Sequence, residues 1–250
     1  MDYIILDIEF NGRKFASELP MEVIEIGAVR LNSSLAYVDE FSSMIKPVYF
    51  AKLNSFLKKK TGIEQEEIDA ADGFVQVSER FREWLGPNEN FLLLTWGGED
   101  MKRIVFDTRM HKLDDSYWMT TDYFDLLKGY LRYKGVSNDV SVEAALADLE
   151  IETSGSAHRA LDDARMTAEV FRKVFGHLDL SLKQRFKDTY SNAKERRLVK
   201  NAIRMLKGQK LTPSWELLAE KVLAGKVDMT NEKKLAELRE YFEAELNKKA

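Results

Sequence analysis

The chain has 250 residues, 44% apolar and 32% charged, with few glycines and prolines, which excludes disordered and collagen-like polymers and allows one large core plus a small appendage. It has no cysteine, which removes disulfides, thiolate zinc sites and cysteine nucleophiles together, and no apolar run long enough for a transmembrane helix. The net charge of −4 averages two unlike parts: residues 181–250 hold 17 basic and 10 acidic side chains, whereas residues 1–180 carry −11, an asymmetry that hints at nucleic acid or an acidic surface as partner.

Residues 3–10 read as a strand with Ile4, Leu6, Ile8 and Phe10 on its core side. The acids in this stretch and the lack of a basic leader argue against a secretory signal, so the expected address is the cytoplasm. After a turn at Asn11-Gly12, residues 22–31 and 36–46 read as two further strands parted by Asn32-Ser33-Ser34, an antiparallel meander. Polar helical pieces follow over 51–70, then a helix over 74–85 stopped by Gly86-Pro87, a short apolar strand over 91–95 and a helix from Glu99. A strand near 118–121 and a helix over about 122–133 come next. Ser141 has the chemistry of an N-cap for a helix with Val142, Ala145, Leu146 and Leu149 on its apolar face. A Ser/Gly-rich loop over 153–157 leads into a helix striped by Leu161, Ala164, Ala168, Phe171 and Phe175. No strand signal is visible beyond Gly176, and residues 181–250 read as all-helical. The pattern predicts a mixed α/β sheet with helices on both faces.

Three pieces of this sequence carry chemistry. Asp7 and Glu9 are two apart on a strand and so project from one face. Two carboxylates at roughly 4 Å repel by on the order of 4 kcal/mol at an effective dielectric of about 20 unless something offsets the charge; a divalent cation does so well, and hard oxygen ligands suit Mg²⁺ or Mn²⁺. A solvated edge strand would also explain the pair. In Thr95-Trp96-Gly97-Gly98-Glu99-Asp100 a strand ends in two glycines with acids in the first turn of the next helix, where ligand crevices form in open α/β sheets; complementing the helix dipole is the alternative. In His158-Arg159-Ala160-Leu161-Asp162-Asp163 a loop histidine precedes a helical acid, an arrangement able to take a proton from water beside a cation, or an ordinary surface histidine.

In this order the three pieces resemble the DEDDh family of 3′–5′ exonucleases on the RNase H-like fold, over about residues 1–177. The resemblance is greatest to the subgroup of histone-mRNA 3′-end exonucleases and their bacterial relatives. Supporting stretches are Glu22-Val-Ile-Glu-Ile-Gly-Ala-Val29, Lys46-Pro47 and Thr61-Gly62-Ile63. The resemblance implies a five-stranded mixed sheet, and two divalent ions (Mg²⁺ or Mn²⁺) held by Asp7, Glu9, Asp100 and Asp163. One ion would generate hydroxide and the other stabilise the leaving 3′ oxygen. His158 would be the general base, and the products would be 5′-mononucleotides. Asp162 takes no ligand role, since adjacent helix residues point about 100° apart. Departures from the family pattern concern substrate. Phe10 and Asn11 stand where Thr is common, and Lys60 stands before Thr61-Gly62-Ile63 where Leu is usual. Phe10, Ile63 and Trp96 are the candidate contacts to the terminal nucleotide, Trp96 by stacking on a base, with core packing as the alternative for both aromatics.

The expected organisation is an exonuclease domain over 1–178 and a basic helical extension over 179–250. Residues 181–210 hold ten Lys or Arg against two acids. From Lys194 to Lys207 a helical wheel places Leu198, Val199, Ala202, Ile203 and Leu206 on one face and Arg197, Lys200, Arg204 and Lys207 on the other, and the basic face is expected to track phosphates. The expected partners are single-stranded RNA or DNA 3′ ends, RNA favoured, and no membrane. A DNA-directed repair or proofreading exonuclease and a regulatory protein that binds without cleaving are the competing readings.

Overall fold

The computed structural model describes residues 1–12, 21–152 and 158–248; the expected loop over 153–157 lies outside them. The chain divides into two compact units, Met1–Phe186 and Lys187–Ala250.

In the first unit, strands β1 (Asp2–Asn11), β2 (Glu22–Leu31) and β3 (Tyr37–Met44) form the expected antiparallel meander. Two short helices, α1 (Ser55–Thr61) and α2 (Gln65–Asp69), precede α3 (Phe74–Leu85), β4 (Phe91–Thr95) and α4 (Glu99–Met110). Helix α5 (Ser116–Thr120), strand β5 (Asp122–Asp125) and helices α6 (Leu126–Lys134), α7 (Val142–Asp148) and α8 (Ala160–Val174) follow, and the two-residue strand β6 (Gln184–Arg185) closes the unit. The sheet order is β3-β2-β1-β4-β5-β6, with β1, β4 and β5 parallel. Ile4, Leu6 and Ile8 of β1 pack with α3 and α4 on one face, and Tyr3 and Ile5 pack with α6, α7 and α8 on the other. Thus β1 is buried on both sides, whereas the sequence pattern suggested one.

Three expectations are corrected here. The sheet has six strands, because Gln184–Arg185 pairs with β5 while Lys183 and Arg185 grip Asp122 at 2.6 and 2.9 Å. The first unit accordingly runs to Phe186, past the expected boundary at 178. Residues 116–120 are helical, where a strand was expected near 118–121. Asp114 accepts from the Ser116 amide, the Thr120 and Thr121 hydroxyls donate to carbonyls one turn back, and Trp118 is buried against Phe81. Strand β5 follows, and Asp125 ends it by accepting from the Lys128 amide and so capping α6.

The second unit contains α9 (Ala193–Gly208), α10 (Trp215–Leu218) with a π-helical continuation over Ala219–Leu223, and α11 (Glu232–Asn247). Asn192 and Glu195 form a capping box at the start of α9. Its core joins Val199, Ala202 and Ile203 to Leu218, Leu223, Leu238 and Phe242. No helix among the described residues is long and apolar enough to cross a membrane.

Candidate active site

The site forms where β1 outlasts its neighbour. β1 pairs with β4 only from Asp2 to Ile5, whereas its pairing with β2 continues to Asn11. Beyond Ile5 the β4 chain turns away through Trp96-Gly97-Gly98, with Gly97 at φ 101°. This leaves Asp7 and Glu9 at the carboxyl end of the parallel strands, the place where crevices open in such sheets. A β-bulge lies between Glu9 and Phe10 and reorients the strand end.

Helix α8 brings Asp163 to this edge. Its first turn crosses β2 at Gly27, the residue paired with Asp7. A Cβ on Gly27 would lie 2.1 Å from the Leu161 nitrogen and 2.2 Å from the Ala160 carbonyl carbon, so only glycine admits the helix at this depth. Buried Glu25 anchors the same turn: it accepts from the Ala160 amide at 3.2 Å and from Arg159 Nε at 3.1 Å. His158 sits just before, at φ 79°, and its backbone amide donates to Asp163 Oδ1 at 3.1 Å.

Asp7, Glu9 and Asp163 each offer a carboxylate oxygen within 4.8 Å of the others, a group able to hold a metal ion. Asp100, in the first turn of α4, is outside that trio but close enough for its charge to act on Asp7. Burial, followed by the charges of Asp100, Asp163 and Glu9, pushes the Asp7 carboxyl well above the usual range. Burial raises Glu9 to about 7, opposed by Lys60 and reinforced by Asp163 and Glu25. Burial likewise raises Asp100 to about 7, and Asp163 is raised chiefly by burial. Carboxylates so crowded and desolvated gain from any positive charge placed among them, and their hard oxygens fit a divalent ion. Asp162 points elsewhere and pairs with Arg165 at 3.0 Å.

A cleft of about 1120 Å³ opens beside the trio, lined among others by Phe10, Phe50, Lys52, Phe56 and Lys60. Phe10 is half-buried, with the Arg103 guanidinium 5.2 Å from its ring, and remains available to a ligand. Ile63 is not available: it is fully buried among Ile24, Leu53, Leu57 and Ile68, which dock α1 and α2 on the sheet. Trp96 is turned to packing; its ring lies against Tyr130 and its Nε1 donates to the Val140 carbonyl at 2.9 Å. Arg197, Lys200 and Arg204 lie in the second unit on the side of α9 away from Val199, Ala202 and Ile203; Arg197 and Arg204 are exposed.

Two residues that build the cleft wall carry roles the sequence pattern did not assign. Buried Glu22 accepts from the amides of Val48, Tyr49 and Phe50 at 2.6–2.8 Å, and Asn11 donates to the carbonyls of Phe50 and Lys52 at 2.9 and 3.1 Å. The Asn11 amide is thereby occupied within the protein. Nothing in the local sequence marks either role, because the partners lie 26 to 41 positions away.

The family described as exonuclease matches residues 4–171. A 3′-5′ exoribonuclease 1 of Mus musculus is 30% identical over 179 residues, covering 68% of this chain and 52% of that protein. A probable 3′-5′ exonuclease, KapD, of Bacillus subtilis is 27% identical over 174 residues, covering 68% of this chain and 83% of that one. The chain thus spans about half the length of the mammalian relative. The nuclease domain of 3′hExo, a DEDDh family member solved with rAMP bound, superposes with a TM-score of 0.64 at 23% identity, over 75% of this chain and 97% of that one, and shows the same fold.

Proposed function

Because this chain belongs to the exonuclease family, we propose that it is a divalent-metal-dependent 3′–5′ exonuclease that releases 5′-mononucleotides from single-stranded ends, with RNA the favoured substrate. The observation that carries this reading is the convergence of Asp7, Glu9 and Asp163, with Asp100 beside them, at the open carboxyl end of the sheet. The relative named as an exoribonuclease supports RNA.

In this reading Asp7, Glu9, Asp100 and Asp163 hold two Mg²⁺ or Mn²⁺ ions. When bound, such ions activate water and stabilise the charge that builds on the phosphate and the leaving oxygen. The protein's own contribution is positional and protonic. β1 and α8 fix the carboxylates on rigid elements. A ring nitrogen of His158 takes the proton of the attacking water, and the hydrogen bond from the His158 amide to Asp163 ties His158 to the acid it serves. Phe10 packs against the terminal nucleotide.

The test is digestion of matched RNA and DNA oligonucleotides carrying 5′ labels, with Mn²⁺, Mg²⁺ or EDTA. A ladder shortening from the 3′ end in either metal and absent in EDTA, faster on RNA, is expected. Faster loss of DNA would transfer the reading to a DNA-directed exonuclease. No mononucleotide release in either metal would leave a protein that binds without cleaving.

A further inference from the structure

Of the two lysines that line the cleft, Lys52 and Lys60, Lys60 is the one whose ammonium lies beside the acid trio. Lys60 lies in the last turn of α1, and its Nζ is 3.9 Å from Glu9 Oε1. That separation is an ion pair across a gap, longer than a hydrogen bond. Among the described residues the Lys60 ammonium donates no hydrogen bond, and its side chain is 39% exposed. Its three donors therefore face the cleft and solvent.

The helix that carries it is held firmly. Asn54 caps α1 by accepting from the Phe56 and Leu57 amides, Gly62 ends it at φ 69°, and Leu57 anchors it to Ile24 and Ile68. Lys60 shares the cleft face of α1 with Phe56 and Leu57, while Lys58 is engaged with Glu64 at 2.8 Å. Burial raises the carboxyls of Asp7, Glu9 and Asp163, and the Lys60 charge opposes that rise at each of them. One ammonium is thus within electrostatic reach of the whole trio. Divalent ions on these carboxylates would cancel the attraction that holds Lys60 toward Glu9, and a phosphodiester entering the cleft would offer its oxygens to the freed donors.

We propose that Lys60 is a substrate-contacting residue whose ammonium binds a non-bridging phosphate oxygen at the 3′ end of the nucleic acid, beside the Asp7–Glu9–Asp163 trio. This rests on the exonuclease reading above. It assigns Lys60 to ground-state binding of the backbone, independent of base.

The test compares wild type with Lys60→Met and Lys60→Arg, measuring kcat and KM for a labelled oligonucleotide across a KCl series in Mn²⁺, with Mn²⁺ affinity measured separately by calorimetry. Met preserves the stem and removes the charge at a partly exposed site, so the fold is retained, which the melting temperature checks. Lys60→Met is expected to raise KM about tenfold with kcat changed less. It should also flatten the slope of log(kcat/KM) against log[salt] by about 0.7, the value for one single-strand phosphate no longer neutralised. Lys60→Arg should restore most of both, and Mn²⁺ should bind Lys60→Met at least as tightly as wild type. Unchanged KM and salt slope in Lys60→Met, with or without a change in Mn²⁺ affinity, would overturn the assignment and leave Lys60 a neutraliser of the acid trio. Failure of wild type to release mononucleotides would instead remove the exonuclease reading itself.

Discussion

Asp7 and Glu9 sit on a strand whose other residues are almost all apolar and buried, and their raised carboxyls record the cost of that placement. In the metal-free protein, Glu9 and Asp100 titrate near 7 folded but near 4.5 and 3.8 unfolded. Between those limits the folded state binds more protons, so stability falls as pH rises from about 4.5 to about 7. The melting temperature of protein kept in EDTA should therefore drop from about pH 5 to about pH 8, and Mn²⁺ should restore most at the upper end. A pH-independent melting temperature in EDTA would contradict the burial of these acids. His158 has a different role: His158→Ala should lower the rate by about 10²- to 10⁴-fold while calorimetry shows Mn²⁺ occupancy intact. A rate within a few-fold of wild type would remove His158 as the base. Asp7, Glu9, Asp100, His158 and Asp163 could be singled out as candidates from the sequence because each lies in a short local motif. Ile63, expected as a substrate contact, is instead buried on Ile24, because apolar side chains near a motif serve the core as readily as a ligand; Trp96 packs on Tyr130 yet stays partly exposed.

Among the elements, β1 to β4, α3 and α7 follow the sequence closely, since alternation, Gly-Pro stops and a Ser cap fix them locally. The failures have tertiary causes. Residues 116–120 look like a strand from their aromatic and Thr content, yet side-chain hydrogen bonds to the backbone close helical turns there. Strand β6 has no hydrophobic signature, and its pairing comes from β5 and Asp122. Gly27 shows the reverse: a small residue in a strand is explained only by the helix that crosses it. Gly27→Ala should displace the first turn of α8, destabilise by about 1–3 kcal/mol, and lower activity more than stability predicts, because Asp163 moves with the turn. A urea unfolding curve together with activity at low denaturant checks this; unchanged values in both would show that α8 can yield without cost.

Across the whole chain, the net charge of −4 conceals a division into an acidic part and a basic part. The first unit brings Asp7, Glu9 and Asp163 together, with Asp100 near them, and the second presents Arg197, Arg204 and Lys207 on the exposed side of α9, its apolar residues being used by α11 and the turns before it. Neutralising Arg197, Lys200, Arg204 and Lys207 to Gln should weaken oligonucleotide binding and flatten its salt dependence by up to about 0.7 for each phosphate these side chains neutralise, with the α9 core untouched. An unchanged salt slope would leave α9 a solvated amphipathic helix. The charge segregation was readable from the sequence, whereas the end of the first unit at Phe186 was not, because a two-residue strand sets it. If Asp7, Glu9, Asp100 and Asp163 form one metal-dependent hydrolytic centre, mononucleotide release by Asp163→Ala beside wild type in Mn²⁺ tests it most directly. Release by wild type that is abolished both by EDTA and by Asp163→Ala, with oligonucleotide binding retained in the variant, is the expected result; substantial release by Asp163→Ala would contradict it.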